Sequence, residues 1–191
     1  MELFFIFILM KTGTLLVATP AVIGDFNFHR SVILLTSYNK TAGSVGFILN
    51  KKIDYTLDEL MDGVQSKLPL HFGGPVEQDN LFYIHTLGEK IPKSLPISKD
   101  LFWNGDFDTV KKLLEMGELN NQNSRFFLGY SGWTAGQLEG EVEEKSWESF
   151  EVKSPLELIK MPIGNLWREC MKTLGGDYLI WSNTPENPNS N

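Results

Sequence analysis

The 191-residue chain has a single cysteine, Cys170. One cysteine excludes an intrachain disulfide and a cysteine-rich zinc site, and it points to a reducing, cytoplasmic setting. Histidine is nearly as scarce, with only His29, His71 and His85. Their spacing makes neither H-x-H nor H-E-x-x-H, so no local metal motif exists. Basic clusters are missing too: 17 Lys+Arg face 24 Asp+Glu, a net charge of −7. Such a chain repels nucleic acid on average, and no Lys/Arg run or basic helix-turn-helix pair offsets this, so direct DNA binding is disfavoured. No apolar run reaches the ~20 residues that span a bilayer. The longest, Leu3 to Met10 in "MELFFIFILMK", follows Glu2, the wrong sign for a signal peptide. Residues 1–9 read as an extension ahead of a start at Met10, or as a flexible apolar tail. Phosphate-cradling and dinucleotide glycine loops are absent, and "GYSGW" fails as a nucleophile elbow because Trp133 stands where glycine is needed. No cofactor is expected.

What is present is enough apolar residue for one well-buried core: hydrophobic content is 42%. Gly13–Ala18, Ser31–Thr36 and Ser44–Leu49 read as buried strands, the last two joined as a hairpin by "SYNKTAG". Thr56 with Glu59 is a capping-box pattern, followed by an apolar face of Leu57, Leu60, Met61 and Val64. "LHFGGPV" and "LFYIHTL" read as strands, and Arg125–Tyr130 as another. Helices are predicted from Asp106 to Met116, from the cap Ser154-Pro155-Leu156-Glu157, and from Leu166 to Leu174, where Gly175-Gly176 stops the chain. "YLIW" reads as a last short strand, and 183–191 as a disordered tail. Strands and helices mix without steady βαβ alternation. The reading is one α+β domain over residues 10–182 with a mixed or antiparallel sheet.

Gly129 to Trp147, "GYSGWTAGQLEGEVEEKSW", joins a glycine-aromatic stretch to four glutamates. Thr134 and Gln137 make a capping-box pattern, with Trp133 and Leu138 as a hydrophobic staple, so a helix should open at Thr134 after a turn at Gly129 and Gly132. Glu139 and Glu141 then lie about 200° apart around the helix and cannot serve one pocket as a catalytic pair. Glu141 and Lys145 are spaced for an i,i+4 pair.

Loop positions supply the candidate ligand site: Arg30, whose guanidinium fork suits a carboxylate or phosphate; Asn50; the paired Gly73 and Gly74, whose amides could receive an anion; His85; and the aromatics Tyr130 and Trp133. Each has a bland reading as a strand entrance, a turn or ordinary packing. His71 and His85 could face each other across a hairpin.

Together, "GTLLVATP" at 13–20, "FHRSVILL" at 28–35, "GSVGFILNK" at 43–51, "GGPV" at 73–76, "IH" at 84–85 and "GYSGWTAGQLEGE" at 129–141 resemble the YqgE/AlgH family of bacterial proteins. The resemblance spans roughly Gly13 to Trp181, and Gly140 falls where the family more often has a charged helix former. It implies a single α+β domain with a bifurcated mixed/antiparallel sheet, partly closed into a small barrel and surrounded by helices. It also implies a regulator of transcription acting through a protein or small-molecule partner, with no catalytic residue or cofactor to carry over. The alternatives are an enzyme of unknown class whose pocket joins the candidate loops, and a direct DNA-binding regulator.

Overall fold

A computed structural model of the chain describes residues 10–151, 155–160 and 162–184. The readings of 1–9, of Ser154 and of most of the tail concern residues outside those described. Among the described residues ten strands run β1 Leu15–Ala18, β2 Val32–Ser37, β3 Ser44–Ile48, β4 Lys52–Thr56, β5 Pro69–Phe72, β6 Val76–His85, β7 Leu95–Ser98, β8 Leu101–Trp103, β9 Ser124–Trp133 and β10 Trp147–Phe150. The helices are α1 Leu57–Leu60, α2 Phe107–Glu115, α3 Gln137–Glu143, α4 Pro155–Lys160, α5 Leu166–Leu174 and α6 Tyr178–Ser182.

The strands form one curled, mainly antiparallel sheet in the order β10-β1-β2-β3-β9-β6-β8-β7, a half-barrel. It forks at β9. Along one edge β9 pairs antiparallel with β6. Along the other its first half takes β5 in parallel and its end takes β3 antiparallel. β4 extends the β5 branch.

Period-two alternation puts apolar side chains on both faces. Leu15 and Val17, Val32 and Leu34, Phe47 and Leu49 fill the concave side with Phe127, where α4 and α5 add Leu158, Ile159, Leu166, Trp167 and Met171. Phe47 stacks on Phe127 with centroids 4.9 Å apart. On the other face of the β1–β3 branch, Leu16, Ala18, Ile33, Leu35 and Ile48 pack with Trp133, Leu138 and Trp147. A third core joins Phe126, Tyr83 and Leu70 to Val110, Leu113 and Leu114 of α2. Burial on both faces explains why these strands read as continuous apolar runs rather than alternating ones.

The fork depends on backbones that nearly touch. Gly73 N–H donates to the Leu128 carbonyl at 2.8 Å, while its own carbonyl accepts from Ile48 N–H at 3.0 Å and Ser131 Oγ at 3.1 Å. A Cβ on Gly73 would run into the Gly129 carbonyl, one on Gly74 into the Tyr130 carbonyl, and one on Gly129 into the Gly74 carbonyl. Gly129 also has φ +69°, a left-handed conformation. Glycine here is required twice over, by conformation and by space.

This corrects the reading of 129–133. The strand does not end at Tyr130; it bends at Gly129 and continues to Trp133, because Ser131, Gly132 and Trp133 find new partners in Gly46, Val45 and Ser44. The helix opens at Gln137, after Gly136 at φ +75°, rather than at Thr134. Gln137 Oε1 still accepts from Thr134 N–H at 3.0 Å, and Trp133 and Leu138 share one core, so both local signals are satisfied one turn early. α1 is a single turn: Glu59 reaches back to Thr56 N–H at 2.7 Å, but Met61 is already extended and Leu60 is exposed. "YLIW" is helical, not a strand. It forms α6 after Gly175 breaks the chain, with Ser182 buried and Ile180 exposed. A short apolar run cannot separate the two by period. α2 and α5 lie within a residue or two of their predicted bounds. β4, β7, β8 and β10 carry no sequence signal of their own; none exceeds five residues.

Gly129→Ala should lower unfolding free energy by more than about 3 kcal/mol, because strain and backbone overlap act together. Gly140→Ala, inside α3 with open space around it, should raise it by about 0.5–1 kcal/mol. Urea titration of the two variants checks both signs.

Candidate functional site

The structure divides the sequence-predicted residues. Asn50 serves the backbone: its Oδ1 accepts from Val32 N–H at 2.7 Å and its Nδ2 donates to the Arg30 carbonyl at 2.8 Å. Arg30, at φ +54°, donates to the Thr184 carbonyl and hydroxyl at 3.0 and 2.7 Å and lies over the Trp167 ring at 4.9 Å. At the fork Gly73 meets Gly129 and its neighbour Gly74 meets Tyr130. Tyr130 packs edge-on to Phe82 at 5.5 Å, and burial, with Glu77, pushes its phenol pKa up. His85 lies opposite Ser124 and Trp133 ends the same strand. Ser124 and Trp133 are nine positions apart along β9, at most about 30 Å at ~3.3 Å per residue. The structure thus brings together Arg30 with Asn50, and Gly73 with Gly74 and Tyr130, and it leaves His85 and Trp133 at opposite ends.

His85 is fully buried with both ring nitrogens engaged. Nδ1 accepts from Leu87 N–H at 3.2 Å, so Nε2 carries the proton and donates to the Asn104 carbonyl at 3.0 Å. Burial lowers its pKa. Nor does it face His71. His71 pairs with Phe127 and His85 with Ser124, three residues apart along β9, which places them on opposite faces of the sheet.

The glutamates of "QLEGEVEE" diverge as the helical wheel requires. Glu139 accepts from Tyr38 Oη at 2.6 Å. Glu141 Oε2 accepts from both indoles, Trp133 Nε1 at 2.8 Å and Trp147 Nε1 at 2.7 Å, while Oε1 accepts from Gln137 Nε2 at 2.9 Å. The expected Glu141–Lys145 pair gives way to this clamp, because α3 ends at Glu143 and Lys145 turns away at φ +61°. Cys170 is buried, its thiol pushed up to about 12 by burial.

A different site is built where β5 and β9 run parallel. His71, Asn121, Ser124 and Arg125 line a cavity of about 240 Å³ with Leu68 and Ile159 among its apolar walls. Arg125 is 6% exposed. Its guanidinium donates to the Leu49 carbonyl at 3.3 Å and to the Ile159 carbonyl of α4 at 2.6 Å. Burial lowers its pKa to about 10, so it stays charged at neutral pH. His71 hydrogen bonds through Nδ1 to the Phe126 carbonyl at 3.1 Å, which sets the Nδ1–H tautomer and leaves Nε2 as an acceptor. Burial, then the Arg125 charge, lowers the His71 pKa to about 4, so the imidazole is neutral. A larger groove of about 620 Å³ runs over α4 and α5, but its charges, Glu157, Lys160 and Glu169, are those of an ordinary solvated helix surface. The sequence signal for the smaller cavity lay in "PLHFGG" and "SRFFLGY", where His71 and Arg125 interrupt buried strands; a buried cation must be held by something. Among the described residues no group of three or more His, Cys, Asp or Glu is placed to hold a metal, and no helix is long and apolar enough to cross a membrane.

Comparison with known proteins decides the family. The AlgH-like family pattern matches residues 15–179. The chain belongs to the AlgH-like family. Its relatives include a UPF0301 protein of Chlorobium limicola, 38% identical over 95% of this chain and 96% of the relative. Another, from Cytophaga hutchinsonii, is 39% identical over 96% of this chain and all of the relative. The solution structure of the AlgH protein from Pseudomonas aeruginosa superposes with a TM-score of 0.71 at 25% identity, covering 92% of this chain and 95% of that one. A crystal structure from Corynebacterium diphtheriae shares the fold, with a TM-score of 0.69 at 19% identity over 92% and 93% of the two chains. The AlgH-like fold is therefore the forked half-barrel described above.

Two outcomes follow for this AlgH-like chain. Glu141→Ala strands two buried indole N–H groups and should cost about 2 kcal/mol or more, read by urea unfolding followed through tryptophan fluorescence. His71 has a folded-state pKa near 4, below the ~6.5 of the unfolded chain, so its contribution is complete above pH ~6.5 and is lost as pH falls toward 4. Stability should drop by up to about 3 kcal/mol across that window, and His71→Gln should flatten the profile by that amount.

Proposed function

We propose that this protein is a cytoplasmic regulator that works by holding a small ligand in the His71–Arg125 cavity, rather than by turning it over. The observation that supports this reading is the cavity itself. A buried guanidinium, fixed by two backbone carbonyls, lies beside an imidazole whose tautomer is set by a third. Such groups are preorganised to bind. The cavity of about 240 Å³ is smaller than a drug-sized pocket, which suits a ligand of a few heavy atoms. The net charge of −7 favours a metabolite over DNA as the direct partner. The regulatory part of the reading comes from what the sequence resemblance to the YqgE/AlgH family implies, a regulator that feeds into transcription at one remove.

The reading is tested by exposing the full chain to a small-metabolite extract and analysing it by native mass spectrometry and amide NMR. One retained small molecule is expected, with shifts confined to β5, the first half of β9 and α4. Shifts centred elsewhere, no retained molecule, or a chemically altered ligand would each count against it. So would a salt-sensitive shift of promoter DNA by the protein alone.

A further inference from the structure

Resting on that reading, we infer that the cavity's ligand is a small oxyanion, a carboxylate or a phosphate-type group, and that His71 takes up a proton when it binds. Two positive charges stand in or near the cavity. Arg125 projects from β9 into the lining, and Lys52, exposed and outside the lining, pairs with His71 across β4 and β5. Both act on His71 as positive charges. The remaining lining is uncharged: Asn121 and Ser124 are polar, while Ile159 and Pro162 from the α4–α5 side are apolar. The electrostatic field of the cavity is therefore positive, within low-dielectric walls, where an anion gains most.

Geometry sets the mode of contact. A guanidinium carries five N–H donors in one plane and presents them in a fork that fits paired oxygens. The carbonyls of Leu49 and Ile159 are among the partners that fix that plane without a ligand. His71 and Arg125 stand on the same face of the β5–β9 pair: His71 opposes Phe127, two residues on from Arg125. With Nδ1 committed to the Phe126 carbonyl, the Nε2 lone pair is the atom left to address a ligand. A lone pair repels an oxyanion, whereas Nε2–H⁺ donates to it. The proton balance is simple: the imidazole gains one proton from solvent, Arg125 keeps its own, and no covalent bond is made or broken. The anion offsets the burial and the Arg125 charge that hold the free imidazole neutral, so the imidazolium becomes the favoured form in the complex.

Binding is then linked to pH with a definite sign. His71 titrates higher in the complex than in the free protein. Affinity therefore rises as pH falls from the complex value toward the free value, by up to about tenfold per pH unit.

The test uses the full chain at fixed ionic strength, with acetate, sulfate and neutral acetamide as probes, followed through the ring signals of its three histidines. Acetate stands for carboxylates, and sulfate for phosphate-type groups without titrating in the working range. The expected result is that at least one anion shifts the His71 ring toward imidazolium while His29 and His85 stay still, with affinity rising several-fold between about pH 7.5 and 5.5. Acetate alone identifies a carboxylate ligand, and sulfate alone a phosphate-type one. His71→Gln should bind the anion more weakly than the unaltered chain does at low pH, and should lose the pH slope. Arg125→Lys should weaken binding about tenfold or more while keeping the charge. If that variant fails to fold, the His71→Gln slope still decides. Anions no better than acetamide, or a pH slope that survives His71→Gln, would overturn the inference. A neutral metabolite captured in the same cavity would sink the anion claim and leave the binding role standing. A cavity indifferent to every small molecule would sink both.

Discussion

Everything in this fold depends on how closely three glycine backbones approach one another at the fork of β9. Gly73, Gly74 and Gly129 leave no room for a side chain between them. That contact allows one ten-residue strand to serve three partners and the sheet to divide into two branches. Without the division the sheet would have two faces and two cores. With it there are three cores, and the β5 branch comes to lie beside α4, where the candidate cavity is built. A constraint made of hydrogen-bonded main chain thus determines where polar side chains can meet.

The same burial that stabilises the branches decides which polar groups are free for chemistry. His85 and Cys170 are enclosed, the first by carbonyl and amide partners and the second by apolar packing. Glu141 is engaged by two indoles and an amide, and Asn50 by the backbone on either side of Ser31. Each satisfies the rule that buried polar groups find partners, and each carries architecture. His71 and Arg125 obey the rule too, but they do so while facing a space of their own.

Much of the fold was legible in the sequence because the signals were local. The hydroxyl and carboxylate caps at Asp106 and Thr56, the glycine stop after Leu174 and the apolar runs of β1, β2 and β3 act within a few residues of themselves. The failures came where distant segments intervened. Ser131 to Trp133 looked like a turn because their strand partners lie some 87 residues earlier. "YLIW" has the composition of a strand, and only docking beside α5 makes it helical. The bifurcated sheet came from family resemblance; no periodicity announces a fork. The candidate site was harder still. Loop residues drew attention because loops are where function is expected, yet Arg30, Asn50 and the glycines hold the frame. The cavity is lined by residues of two strands, His71 and Arg125, that read simply as parts of buried runs.

The placing of β10 has a consequence for the life of the nascent chain. It pairs with β1, Leu15 opposite Phe150, so 135 residues separate two neighbours in the sheet. On the ribosome, at ~5–20 residues per second, about 7–27 s pass between them. For that interval the outer edge of β1 waits with unpaired amides and carbonyls beside a run of leucines. The protein spends its synthesis with an open sheet edge, the condition in which strands adhere to one another and chaperones find their clients.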